Sequence, residues 1–149
     1  MALRHWFPIC VLGIAAACTW QPPETYPTPA AVSIPASFGR VWDAVIDHFA
    51  EHNVPIKTIE RASGIIATDA MAVPLSLSTQ YADCGSDALI GPYTADLASY
   101  SVRVQGDSAA TTIRVTMSIS SRGPAGTCSS KGQYEKDLVT DIQSRVTRR

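Results

Sequence analysis

The stretch SFGRVWDAVIDHFAEHNVPIKTIERASGIIAT, residues 37–68, decides the fold. Its first half carries large apolar residues at steps of three and four, which places them on one side of a helix with 3.6 residues per turn. They are Phe38, Val41, Trp42, Val45, Ile46 and Phe49. The second half alternates with period two around a turn at Ser63-Gly64, which predicts two strands at about 54–60 and 65–72. A helix that covers a hairpin is the pattern of a hydrophobic core rather than of a catalytic centre.

The ends of this helix are also predicted. Ser37 is the expected N-cap, because its hydroxyl can accept a hydrogen bond from an amide of the first turn. Pro55 disfavours helical geometry in Val54, so we expect the helix to stop near His52-Asn53. Upstream, residues 32–34 read as a short edge strand that Pro35 ends.

The remaining domain follows the same two periodicities. Residues 74–95 have little pattern and are predicted to be a long loop. Residues 100–105 and 112–120 form a hairpin around Gly106-Asp107-Ser108, with Ile113, Val115, Met117 and Ile119 on one face and Arg114, Thr116 and Ser118 on the other. Residues 133–148 predict a closing helix. We therefore expect one two-layer α+β domain over 32–149, with a four- to five-stranded antiparallel sheet covered by two helices in the order β-α-β-β-β-β-α.

Composition excludes several classes of protein. A hydrophobic content of 46% with 17% charged residues is typical of a globular chain. The formal charge of −1 offers no electrostatic case for binding nucleic acid. Basic residues concentrate in the last third of the chain, where a locally positive surface could face an acidic partner.

Residues 1–17 predict an export signal. Arg4 precedes an apolar run that ends in Ala15-Ala16-Ala17, and this run is too short for a stable transmembrane helix. Residues 14–18 resemble the lipobox of bacterial lipoproteins, which implies that Cys18 becomes the first residue and carries acyl chains. Thr19 is not the aspartate that retains such proteins at the inner membrane, so the resemblance implies the periplasmic side of the outer membrane. Cleavage after Ala17 without lipidation is the alternative.

The segment after Cys18 is rich in proline. Four prolines in Thr19–Ala31 favour an extended polyproline-type chain, so residues 18–31 are predicted to be a lipidated tether. At about 3.1 Å per residue, such a tether would hold the domain a few tens of ångströms from the membrane.

A family resemblance lies in residues 32–70, which include the stretch that decides the fold. The residues that carry it are Val32, Pro35, Val41, Trp42, Val45, Ile56 to Glu60, Gly64 and Ile66. Their pattern resembles the repeating domain of the BamC/NlpB lipoproteins, which are accessories of the outer-membrane β-barrel assembly machine. The resemblance implies a helix-grip domain on a lipid anchor, with envelope proteins as partners.

Counting cysteines predicts a disulfide. Cys10 leaves with the leader and Cys18 takes lipid, which leaves Cys84 and Cys128 as a pair in an oxidising compartment. Closing a loop of this length would contribute about 4 kcal/mol by loop entropy.

Three other patterns carry chemistry in principle. A nucleophilic Cys84 is the alternative to the disulfide, since the segment around it superficially resembles that of NlpC-type cell-wall peptidases. His48, Glu51 and His52 spell the inverted zinc-peptidase motif, in which both histidines hold Zn²⁺ and the glutamate is the general base. Ser129-Ser130-Lys131 places serines beside a lysine. We favour a disulfide, a polar helix face and a helix N-terminus capped by Ser130, with no metal or cofactor.

The sequence thus predicts a non-enzymatic, lipid-anchored envelope protein that binds other envelope proteins of an outer-membrane assembly or secretion complex. The alternative is a module that binds a small molecule or lipid between the sheet and its helices. An envelope hydrolase is a third and more distant hypothesis. A cavity of several hundred Å³ beneath the helices would favour the ligand-binding module, whereas a filled core with an exposed apolar or charged sheet edge would favour protein binding.

Overall fold

The computed structural model describes residues 20–148. The predicted leader, Cys18 and Arg149 lie outside these residues. The strands are β1 Trp20–Gln21, β2 Val32–Ile34, β3 Ile56–Glu60, β4 Ile65–Thr68, β5 Met71–Ala72, β6 Ala82–Asp83, β7 Ser86–Asp87, β8 Gly91–Pro92, β9 Leu97–Gly106, β10 Thr111–Ser120 and β11 Thr127–Ser130. The helices are α1 Phe38–Glu51, α2 Leu75–Tyr81 and α3 Gln133–Arg148.

The longest strands, β9 and β10, form the axis of the main sheet. They pair over their whole length, from Thr111 opposite Gly106 to Ser120 opposite Leu97. The eight-stranded sheet has the order β3-β4-β9-β10-β11-β6, with β2 also beside β10 and β5 also beside β9. Strands β1, β7 and β8 form a separate small sheet. Every one of these pairings is antiparallel, which confirms the predicted α+β class.

Helices α1 and α3 pack on one face of the main sheet. Alternate residues of β9 and β10 reach this face and are buried there, including Val102 and Ile113. Phe49 of α1 and Ile142 of α3 complete the same core with no exposed surface. Burial on one side of each element therefore matches the predicted periodicities of both helices and of the hairpin.

A second, smaller core lies at the opposite end of β9 and β10. Its buried members are mostly small: Ala82, Cys84, Ala95, Ala98 and Ile119. Partly buried side chains pack around them, Tyr93, Tyr100 and Met117 among them. The long strands thus pass through two cores of different composition.

The predicted sheet of four to five strands and the order β-α-β-β-β-β-α were wrong. The described residues follow the order β-β-α-β-β-β-α-β-β-β-β-β-β-α, with eight strands in the main sheet. The additional strands have two to four residues each, too few for alternation to be recognised. Strands β5 and β11 add to the long strands β9 and β10, and β6 in turn pairs with β11.

The predicted loop at 74–95 contains α2 and three short strands. Helix α2 has the sequence LSLSTQY and shows no amphipathic stripe, since its two leucines are exposed. A tertiary hydrogen bond holds it instead: the buried Ser78 hydroxyl accepts from the amide of Ala95 at 2.6 Å. A contact of this kind leaves no periodic signal in the sequence.

Helix α1 begins and ends where the sequence predicts, but its cap differs. Ser37 occupies the N-cap position with an extended backbone and makes no side-chain capping bond. The amide of Phe38 instead donates to the carbonyl oxygen of Asp107 at 2.8 Å, in the turn between β9 and β10. At the other end, Asn53 takes a positive φ of 53°, which reverses the chain toward β3.

Candidate functional site

Cys84 and Cys128 form the predicted disulfide. Their Cα atoms lie 4.2 Å apart, and the strands that carry or precede them, β11 and β6, pair directly. Cys84 is buried in the second core. Its sulfur is bonded to another sulfur and is not a thiolate, so this arrangement does not supply the nucleophile of a cell-wall peptidase.

The residues of the inverted zinc-peptidase motif belong to a network that joins α1 to α3. His48 Nδ1 lies 2.6 Å from Asp141 Oδ2, and Arg145 donates to the same oxygen at 2.5 Å. Arg145 also pairs with Glu51 at 2.7 Å, while His52 Nδ1 lies 2.8 Å from the carbonyl oxygen of His48. Within residues 20–148, no group of three or more histidine, cysteine or acidic side chains is arranged to hold a metal ion. His48 and Glu51 thus connect α1 to α3, while His52 contacts His48 on its own helix.

Burial and neighbouring charges shift the pKa values of His48 and Asp141 in this network. Burial lowers the pKa of His48, and the hydrogen bond with Asp141 only partly opposes that effect. Burial alone would raise the pKa of Asp141, but its hydrogen bonds with Arg145 and His48 prevail and lower it. The carboxylate is thus matched by the guanidinium of Arg145, beside a histidine that favours its neutral form.

The serines and lysine before α3 face different partners. Ser130 Oγ lies 2.7 and 2.9 Å from the two oxygens of the buried Glu135, and it accepts from the amide of Gly132 at 3.1 Å. Lys131 Nζ donates to the carbonyl oxygen of Thr79 at 2.6 Å. Ser130 thus organises the first turn of α3, and Lys131 fastens the end of α2.

The described side chains fill most of the space between α1, α3 and the sheet. Large residues from both layers, including Phe49, Ile66 and Ile113, are fully buried there. A cavity of about 160 Å³ remains between α3, Val32 and Val115, and a surface groove of about 510 Å³ lies between Arg40 of α1 and Val146 of α3. An apolar cavity of about 60 Å³ lies at the second core, between α2 and the sheet. Pockets that hold drug-sized ligands measure roughly 300–1,000 Å³, so this cavity is several times too small.

Three tyrosines line one side of that cavity. The rings of Tyr100 and Tyr134 stack with centroids 4.3 Å apart, and Tyr81 meets Tyr134 edge to face at 5.6 Å. Burial raises the pKa of both stacked phenols, so they stay neutral. The cluster packs α2 against α3 as a wall of neutral aromatic rings.

The face of the main sheet that α1 and α3 leave uncovered is polar and positively charged. Arg103 of β9 and Arg114 of β10 lie directly opposite each other on this open face, and both are exposed. No hydrogen bond or ion pair joins either arginine to another described residue. Hydroxyl side chains surround them: Ser99, Ser101, Thr112, Thr116 and Ser118. Neither β9 nor β10 carries an acidic residue on this face, and Glu60 of β3 lies in the same cross-strand row as Arg103, with Ile65 between them.

The proline-rich segment lies along the domain. Pro23, Tyr26 and Pro29 are partly buried while the residues between them are exposed, a period of three that matches a polyproline helix. Tyr26 contacts Asp83 through its hydroxyl at 3.3 Å. A Cβ at Gly85 would come within 2.4 Å of the Gln21 carbonyl oxygen, so only glycine permits this approach. The sequence predicted the extended conformation but also a spacer, whereas these contacts place residues 20–31 on the domain surface.

Comparisons with protein-family models and with curated proteins found no match to this chain. Among residues 20–148, no helix is long and apolar enough to cross a membrane. The sequence indicated the disulfide and the wet face of β10, but it did not reveal the pairing of Arg103 with Arg114. Whether two arginines on neighbouring strands lie opposite each other depends on the exact register of the strands, which the sequence does not give.

Proposed function

We propose that this chain is a non-enzymatic, lipid-anchored envelope protein that binds an acidic segment of another envelope protein through the open face of its main sheet. The anchor is Cys18, and the location is the periplasmic side of the outer membrane. The lipobox resemblance supports the anchor, and the BamC/NlpB resemblance supports a partner within an assembly or secretion complex.

The pairing of Arg103 with Arg114 carries this proposal. Like charges placed directly opposite on a sheet face destabilise the fold, so folding alone gives no reason to keep them together. The strand register places the two guanidinium groups side by side among hydroxyls, where they present many hydrogen-bond donors that suit carboxylates. An acidic partner would convert the local repulsion into attraction.

The ligand-binding alternative has less support. The core beneath α1 and α3 is packed with side chains apart from a cavity of about 160 Å³, and the 60 Å³ cavity beneath α2 would accept only a very small apolar group. The groove of about 510 Å³ between α1 and α3 lies at the surface rather than between the helices and the sheet. A hydrolase has less support still, because Cys84, His48 and Ser130 are each committed to other contacts.

The test isolates the tagged protein from gently solubilised membranes after brief crosslinking, and then measures binding of the recovered partner in purified form. Reversal of either charge, Arg103→Glu or Arg114→Glu, should weaken that binding about tenfold, and added salt should weaken wild-type binding. Arg122→Glu is the matched control, because this arginine is also exposed but lies outside the open face.

The anchor is tested separately by mass spectrometry of the N-terminal peptide. We expect acyl chains on Cys18 and none in a Cys18→Ala variant. If partner binding is equal in the control and in both charge reversals, the open face is not the binding surface.

A further inference from the structure

Three exposed apolar side chains lie together where the described chain begins. Leu89 is 91% exposed and Ile90 70% exposed, and both lie in the turn between β7 and β8. Trp20 in β1, 38% exposed, lies opposite Asp87 at the base of that turn. We call Trp20, Leu89 and Ile90 the apolar tip.

The tip is built by backbone and side-chain contacts that do not involve its apolar groups. Asp87 Oδ1 accepts from the amide of Leu89 at 2.8 Å, and Gly91 closes the turn with a φ of 82°. Pairing of β1 with β7 fixes Trp20 beside it. The turn geometry does not require leucine or isoleucine, so these two neighbouring exposed apolar side chains are available for a contact outside the domain.

The position of the tip in the chain identifies the contact. Two residue steps separate Trp20 from Cys18, which is at most about 7 Å of extended chain. Acyl chains on Cys18 would therefore enter a bilayer within reach of the tip. Tryptophan favours the membrane interface, and leucine and isoleucine favour the acyl region below it.

We propose that the apolar tip inserts into the lipid bilayer beside the acylated Cys18. The inference rests on the lipid anchorage proposed above and adds a second point of membrane contact. Because residues 20–31 lie along the domain, the two contacts together hold the domain against the membrane in one orientation.

The experiment reconstitutes the full mature lipoprotein into vesicles of phosphatidylethanolamine with a minority of phosphatidylglycerol. Some vesicles carry brominated acyl chains, which quench tryptophan fluorescence on contact. Trp20 should be quenched, whereas Trp42 is only 3% exposed and supplies a constant background. The double variant Leu89→Ser/Ile90→Ser should lose the quenching of Trp20 while the protein still floats with the vesicles. Ile59→Ser is the matched control, because Ile59 is 54% exposed on β3, at the opposite edge of the main sheet from β6.

The readouts separate the two proposals. Flotation with an acylated N-terminus but no Trp20 quenching leaves the anchor in place and overturns the tip. If Cys18 carries no lipid, unlipidated wild-type protein and the double variant are compared for partition onto the same vesicles. A loss of about tenfold or more supports the tip, since burial of an aliphatic side chain is worth roughly that factor. Equal partition overturns it, as does loss of a protein partner by the double variant without a change in quenching.

Discussion

The two ends of β9 and β10 are held together in different ways. At the end beneath α1 and α3, large side chains such as Phe49 and Ile142 are fully buried between two long helices and the sheet. At the other end, the core is mostly alanine, the helix has seven residues and the neighbouring strands have two to four. The disulfide lies at this second end.

The difference shows how a short element can be stable without a large apolar face. Alanine burial removes little apolar surface from water, so the second end gains less from the hydrophobic effect. Directed polar contacts compensate, including the bond between Ser78 and Ala95 and that between Thr68 and the amide of Tyr100. We therefore expect the helix-covered end to lose stability when buried side-chain volume is removed. The disulfide end should lose stability when the disulfide or a hydrogen bond is removed.

The largest effect should follow removal of volume from the helix-covered end. Phe49→Ala deletes a fully buried ring and should lower the free energy of unfolding by about 4 to 5 kcal/mol. Urea denaturation followed by circular dichroism measures the change. Ile59→Ala is the control, since Ile59 is more than half exposed and should change stability by less than about 0.5 kcal/mol. Similar losses in both variants would mean that α1 is not packed as described.

Removal of the disulfide should destabilise the second end of β9 and β10, where the small core lies. Cys84→Ala/Cys128→Ala opens a sequence separation of 44 residues and should cost about 3 kcal/mol, somewhat below the loop-entropy value. Hydrogen exchange should show lost protection in residues 71–96 and 121–130, while α1 and the β4-paired part of β9 stay protected. Reduction of the wild-type protein should reproduce this pattern. Uniform loss of protection at both ends would contradict the comparison.

The sequence predicted the helix-covered end well for a physical reason. Long elements packed on one side must repeat their apolar residues, and Tyr134, Leu138, Ile142 and Val146 do so along α3. The bounds of α1 and α3 could therefore be predicted from the sequence, and so could the alternation of β10. Here the sequence pattern and the packing carry the same information.

The structure of the disulfide end and of the candidate surfaces was harder to predict from the sequence. Strands of two residues cannot display a period, and Ser78 is indistinguishable in sequence from the exposed Ser76 beside it. The pairing of Arg103 with Arg114 depends on exact register, and the meeting of Trp20 with the β7–β8 turn depends on contacts far apart in the chain. Cysteine counting succeeded at this end because it relies on chemistry and compartment rather than on periodicity.

Loss of one polar contact gives a sharper test of the disulfide end. Ser78→Ala leaves the amide of Ala95 buried without its acceptor and should cost about 2 kcal/mol, although little volume is removed. Ser76→Ala is the matched control on the same helix, because its side chain is exposed. Denaturation of both variants measures the difference. Equal stability of the two would show that this end does not depend on the Ser78 bond.

The smallest effect should be a dependence of stability on pH at the helix-covered end. Burial lowers the pKa of His48 below its ordinary value of 6.5, so the unfolded chain binds the proton more readily than the folded one. The stabilisation is then complete above pH 6.5 and is lost as the pH falls from 6.5 toward the folded-state pKa. Asp141 and Glu51 also have lowered pKa values, but their ordinary values of 3.8 and 4.5 place their contributions at more acidic pH.

The measurement is the free energy of unfolding at several pH values between about 7.5 and 5.5, the window set by the ordinary histidine pKa. His48→Gln should flatten the decline toward low pH, because the group that takes up the proton on unfolding is gone. His52→Gln is the comparison: it removes the exposed ring that stacks on His48 at 4.2 Å but keeps the buried imidazole, so it should flatten the decline less than His48→Gln does. A decline that is unchanged in His48→Gln would mean that the contact between α1 and α3 at Asp141 does not respond to histidine protonation.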